Sequence, residues 1–257
     1  MVEQMIGFFF SWFANPGLIG IGLAILFGAI WLVGYWPPLF KKWWLWAVLV
    51  ISALLSLIAV SFIQIPLQYL VGQALGHFWS QEVLMRWLLL AGIPQILLSG
   101  LVQEGSKMVP VVLWWLGENR TLTPKAGLVV GAVAGFGFGV FEAVCVHNSI
   151  FAAGWSWEAV QAGGYMALAG FWERFFAVAF HIASCALVGW GLARGWGWQF
   201  YLLAAFLHSL LNYSVVFLQT GLFTVVHLEI YAAVVAVLVT AGALWLRWRQ
   251  SEEAGGE

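Results

Sequence analysis

Seven separate stretches of this 257-residue chain run for about 20 residues or more with few side chains that are not apolar. A helix rising 1.5 Å per residue needs ~20 such residues to cross a hydrocarbon layer ~30 Å thick. No water reaches the backbone there, so each segment has to satisfy its own N–H and C=O groups, and helices do that. The spans are expected near 16–36, 43–68, 86–117, 127–150, 170–192, 198–218 and 222–246. The expected fold is all-α: a polytopic transmembrane helix bundle of about seven to eight membrane helices, forming a single integral membrane domain over 1–257. Residues 5–14 are apolar but short and read as interfacial, with an eighth membrane helix as the alternative; 69–82 and 151–169 read as re-entrant or surface segments. The third span is long enough to be tilted, or broken near Pro94.

Charge then orients the bundle. Only 8% of residues are charged, with ten Lys+Arg against eleven carboxylates, all of them Glu, for a net charge of −1. Such a balance offers no basic footprint for nucleic acid. With the N-terminus outside and the C-terminus cytoplasmic, Lys41, Lys42, Arg120, Lys125, Arg194, Arg247 and Arg249 fall on the cytoplasmic side, leaving Arg86 and Arg174 as exceptions. The opening Met-Val-Glu-Gln-Met lacks the basic region of a signal peptide, so the first hydrophobic segment is expected to be retained. Residues 251–257 read as a short acidic, disordered tail. Cys145 and Cys185 lie in apolar segments and read as small buried residues rather than a disulfide framework.

Against this apolar background a few polar residues stand out. Glu104, Glu142, His181 and His208 each fall within about 5 Å of the expected bilayer midplane, on four different spans. A charge at that depth costs roughly 2.5–3.5 kcal/mol on insertion scales, so it persists mainly where it pairs or works. Lys107 is three residues after Glu104, on the same helix face. Gln95, Ser99 and Gln103 recur every four residues on that helix, Asn212 is one turn after His208, and Arg174 precedes His181 by seven residues on nearly one face. Gly127, Gly131, Gly135 and Gly139, with Gly137 besides, form a ladder that brings helices close and turns Glu142 into the bundle. His77, Glu82, His147, Asn148, Glu158, His227 and Glu229 lie near span ends or in loops and are expected to be solvated at the interface. Cys185, one turn from His181, has no visible activating context for a Cys/His nucleophile.

The segments Gln103-Glu104-Gly-Ser-Lys107, Gly135-Phe-Gly-Phe-Gly-Val-Phe-Glu142-Ala, Glu173-Arg174 followed by Phe-Phe-Ala-Val-Ala-Phe-His181-Ile-Ala-Ser184, and Leu207-His208-Ser-Leu-Leu-Asn212 resemble, in order and spacing, the motifs of the YhfC and PrsW intramembrane proteases. These belong to the superfamily of type II CAAX prenyl endopeptidases and their bacterial relatives. The resemblance covers roughly residues 86–250, and the YhfC branch is the more similar. It implies an intramembrane endopeptidase acting on a membrane protein or lipid-linked peptide, in a bacterial cytoplasmic membrane. The superfamily includes enzymes described as metalloproteases and as glutamate proteases. Its first motif is usually a Glu-Glu pair, and this chain departs from it at Gln103.

On that basis Glu104 is expected to deprotonate water, aided by Glu142 or His181, with His208 and Asn212 holding the oxyanion and Lys107 or Arg174 anchoring the carboxylates. No cofactor is favoured. Zinc is the alternative, held by Glu104, Glu142, His181 and His208, although the chain has no H-E-x-x-H helix. A proton- or ion-coupled transporter using the same cluster, or a catalytically silent scaffold, remains open on the residues alone.

Overall fold

A computed structural model describes residues 2–253. Among them there are helices and no strands. Seven helical stretches are long and apolar enough to cross a membrane: Leu18–Tyr35, Trp44–Phe78, Leu88–Gly117, Pro124–Ala152, Trp157–Ala193, Gly197–Gln219 and Val225–Arg249. The elements that matter below are α1 (Val2–Ser11), α2 (Leu18–Leu32), α3 (Trp44–Ala59), α4 (Ile65–Phe78), α5 (Gln81–Arg86), α6 (Leu88–Ala91), α7 (Ile93–Gly117), α8 (Pro124–Ala152), α9 (Trp157–Gly163), α10 (Ala169–Ala193), α11 (Gly197–Asn212), α12 (Ser214–Gln219) and α13 (Val225–Glu253). Ser251–Glu253 continue α13, and the rest of the tail expected over 251–257 lies outside the described residues.

Short apolar α1 is a helix of its own, and the third span breaks around Gly92 and Pro94, with Pro94 accommodated in the first turn of α7. The second span differs from expectation. Residues 69–78 are not a surface segment but the continuation of the helix, joined to α3 through a π-helical turn over Val60–Gln64. Gln68, Gly72, Gln73, Gly76 and His77 lower its hydropathy. Its helix is held by the clasp between Gln68 and Gln95, whose side-chain amides each donate to the other's backbone carbonyl at 2.8 and 2.9 Å.

Packing centres on α8 and α10, which touch along most of their length. The reason is the glycine ladder. A Cβ at Gly127, Gly131 or Gly135 would run into the carbonyl oxygens of Gly189, Cys185 and His181 respectively, so only glycine lets α10 come this close. Gly137 faces the other way and gives the same room to Leu49 of α3. Around this pair the core is built from small and medium side chains of α2, α8, α10 and α13, including Ala132, Phe180, Ile182, Ala183 and Ala236. Ser52 of α3 ties three helices together, its hydroxyl lying 3.2 Å from the Lys107 carbonyl and 2.9 Å from that of Ala134.

The outer surface is apolar, with exposed Leu, Ile, Val and Phe along the spans, as lipid requires. Exposed Trp36, Trp43, Trp196, Trp198, Trp245 and Trp248 gather at one end of the bundle and Trp79, Trp87 and Trp157 at the other, the positions of two interfacial belts.

Candidate active site

The helices bring polar residues together in a definite order. Lys107 Nζ lies 2.6 Å from Glu104 Oε1 and 3.0 Å from His181 Nδ1. An ammonium has only hydrogens to give, so His181 accepts at Nδ1 and carries its own proton on Nε2. That nitrogen faces Glu142 Oε2 at 3.2 Å. The same oxygen accepts from Arg174 Nη1 at 2.6 Å, and Arg174 also pairs with Glu173 beside it. In the other direction His208 Nδ1 donates to Glu104 Oε1 over 2.7 Å, and the Ser184 hydroxyl meets the two Glu104 oxygens at 3.3 and 3.2 Å. The chain of contacts therefore runs unbroken from His208 through Glu104, Lys107, His181, Glu142 and Arg174 to Glu173. Every charge in it has an opposite partner, the condition under which buried ions are tolerated.

This chain has a dry interior and two ends on a cavity. Glu104 and Lys107 are 0% exposed. A cavity of about 210 Å³ reaches instead to Gln103, Glu142, Arg174, His181, His208 and Asn212. The Glu142 side chain is 22% exposed there. Asn212 donates to Ser99 Oγ at 3.1 Å, which uses one of its two amide hydrogens. All eight residues singled out in the sequence thus meet in one region, six of them on the cavity wall.

A family model described as PrsW family intramembrane metalloprotease matches residues 41–241. The chain belongs to that family. No curated protein and no solved structure matches it. PrsW membership makes it a membrane-embedded protease by family, and the matched region contains every residue of the contact chain.

The family description raises the question of a metal. Ligand atoms of Glu104, His181 and His208 lie within 4.8 Å of one another, and one carboxylate with two imidazoles is a set that zinc accepts. In this PrsW member, however, the Lys107 ammonium already stands between two of the three donors, against Glu104 and His181. The donor types fit a dication, and two of the three are engaged with a cation of the chain's own.

Some residues behave differently from expectation. His147 and Asn148 are buried rather than solvated at the interface. Asn148 Oδ1 accepts the Gly17 N–H at 3.1 Å and His147 Nδ1 lies 3.2 Å from the Gly20 carbonyl, so both dock α2 onto α8. Gly20 has to be glycine for that approach, since a Cβ would strike Asn148. Glu229 is half-buried, with Oε2 enclosed and lacking a partner. His77, Glu82, Glu158 and His227 are exposed as expected. Cys185 lies 3.9 Å from Glu104, away from the cavity wall. Glu173, Ser184 and Gln64 are the participants that the sequence reading left out of the site. Ser184 had a signal, one turn after His181; Gln64 had another, as an amide one turn before Gln68 in an apolar run.

Proposed function

We propose that this PrsW-family protein hydrolyses peptide bonds of a membrane-embedded substrate by a glutamate mechanism in which Glu142 is the base. The observation that carries this reading is the division of the contact chain: Glu142 and Glu173 are the carboxylates on the cavity wall, whereas Glu104 is sealed behind His208 and Lys107, and of the two on the wall Glu142 is the one that also meets His181. The role expected for Glu104 passes to Glu142 because a base has to touch the water it deprotonates. Glu142 takes a proton from water, and the hydroxide adds to the scissile carbonyl. The C–N bond then breaks, with the proton passing from Glu142 to the leaving amine. Arg174 and the Nε2–H of His181 hold one Glu142 oxygen, leaving the other for water.

His208 and Asn212 remain the proposed holders of the oxyanion. His208 lines the cavity beside Asn212, whose second amide hydrogen is unused. Glu104 accepts from His208 Nδ1 and so orients the ring. Removing the base, Glu142→Gln, is expected to lower cleavage of a membrane peptide by at least about 10²-fold. Cleavage that survives Glu142→Gln but disappears in Glu104→Gln would return the base to Glu104, and solute flux lost in both variants would favour a transporter.

A metal mechanism is the second reading, favoured by the convergence of Glu104, His181 and His208 and by the family description. It requires Lys107 to leave its present place, and for that reason we rank it below the glutamate mechanism. Elemental analysis of the purified protein is expected to find less than stoichiometric zinc, and chelation to spare turnover. One zinc per chain, needed for activity, would reverse the ranking.

A further inference from the structure

Behind the cavity wall the side-chain amides of α4, α7 and the π-helical turn form a relay with a fixed direction. Gln68 Nε2 donates to the Gln95 carbonyl at 2.8 Å. A backbone carbonyl can only accept, so the Gln68 amide has one permitted orientation, with Oε1 turned the other way. That oxygen meets Gln64, which therefore presents Nε2 to it at 3.4 Å. Gln64 in turn is left with Oε1 facing Gln103, whose Nε2 donates at 3.1 Å. Each amide is set by the one before it. The free end of the relay is Gln103 Oε1: the residue is 8% exposed, lines the cavity with Glu142, His208 and Asn212, and its oxygen is buried with no hydrogen-bond partner.

An enclosed carboxamide oxygen without a donor costs free energy unless something supplies one. Of the polar groups nearby, Ser99 donates to the Ile96 carbonyl and Asn212 gives one amide hydrogen to Ser99, and none donates to Gln103 Oε1. We infer that Gln103 is a substrate-positioning residue whose Oε1 accepts a backbone N–H of the bound peptide, close to the scissile bond. The inference rests on the peptidase reading and narrows its substrate class. Past the first turn of a helix each N–H is bonded to the carbonyl four residues back, so in the body of a substrate helix an N–H becomes free only where the helix has unwound. The substrate is therefore an extended segment that has an N–H at one defined position; a proline there is refused.

Gln103 reads that N–H without adding a charge to the cavity. A carboxylate in its place would also accept, but it could not donate to Gln64, and the relay would lose the constraint that orients it. In this chain the amide separates two jobs, with Glu142 left as the base on the cavity wall while Gln103 holds the chain to be cut.

The test uses the full-length protein in nanodiscs. A quenched-fluorescent library of apolar peptides finds a cleaved sequence, and that peptide is remade with each backbone N–H methylated in turn. Methylation at one position near the cut is expected to lower kcat/KM at least about tenfold in the wild type, mostly through KM. In Gln103→Leu the penalty for that same methylation should shrink to within about twofold, while Gln103→Glu, which keeps an acceptor, retains it. If Gln103→Leu proves unstable on gel filtration, Gln64→Leu frees the Gln103 amide to turn and should reduce the penalty without altering the cavity wall. An undiminished penalty in the Leu variant measured, or the absence of any position-specific penalty in the wild type, overturns the inference while leaving the peptidase reading intact. Absence of any wild-type cleavage that either Glu142→Gln or Glu104→Gln abolishes removes the peptidase reading itself, and the inference with it.

Discussion

Lys107 sits in the middle of a membrane-spanning helix with none of its side chain exposed, and its ammonium answers Glu104 and His181 at once. A lone buried lysine would be costly; this one neutralises a carboxylate, sets the tautomer of a histidine and so engages two of the candidate metal donors. Removing one member of such a pair leaves the other buried and uncompensated. Lys107→Met is therefore expected to destabilise the protein by about 3–5 kcal/mol, and adding Glu104→Gln should recover most of the loss. Thermal unfolding in detergent reads both, and a double variant as unstable as the summed single ones would show that the two residues are not coupled. The spacing of Glu104 and Lys107 was legible as a helical neighbour pair. That the lysine also reaches His181, 74 residues away, was not, because a contact between α7 and α10 depends on how two helices are rotated about their axes.

At the scale of the helices, the site depends on the close approach of α8 and α10. Gly135 lies against the carbonyl of His181 itself, so a methyl group there has nowhere to go unless α10 moves and takes the imidazole with it. Gly135→Ala is expected to cost about 1–3 kcal/mol by overpacking and to reduce cleavage as well. Gly22→Ala serves as the contrast, because nothing lies within 4 Å of a Cβ there, and a small gain of helix stability is expected instead. Equal behaviour of the two variants in a thermal melt would mean that the ladder is not a packing surface. The ladder was visible as a four-residue repeat, and it did turn Glu142 inward. The burial of His147 and Asn148 on the same helix was hidden, since nearness to a span end in the sequence says nothing about which neighbour covers that end. The ten extra helical residues of 69–78 were hidden for a related reason: their polarity is offset by the Gln68–Gln95 clasp, a contact made across helices.

For the whole molecule, alternation of the seven spans puts Lys41, Lys42, Arg120, Lys125, Arg194, Arg247 and Arg249 at one end. We propose that this end is cytoplasmic, with the N-terminus outside. A membrane-impermeant thiol reagent applied to intact cells should label Glu158→Cys and spare Lys42→Cys; the opposite pattern would turn the molecule over. Residue order alone determined that the chain lies in a bilayer as seven helices, and which side chains are too costly to leave facing lipid. It could do so because the free energy of inserting a helix is close to a sum over its own residues. Tertiary structure decided which carboxylates line the cavity, which nitrogen of His181 carries the proton, that a lysine contacts two of the candidate metal donors, and which way the Gln103 amide points. Those outcomes follow from distances of a few ångströms between residues on different helices, and from hydrogen-bond directions passed along a chain of contacts. Neither quantity exists until the helices have packed.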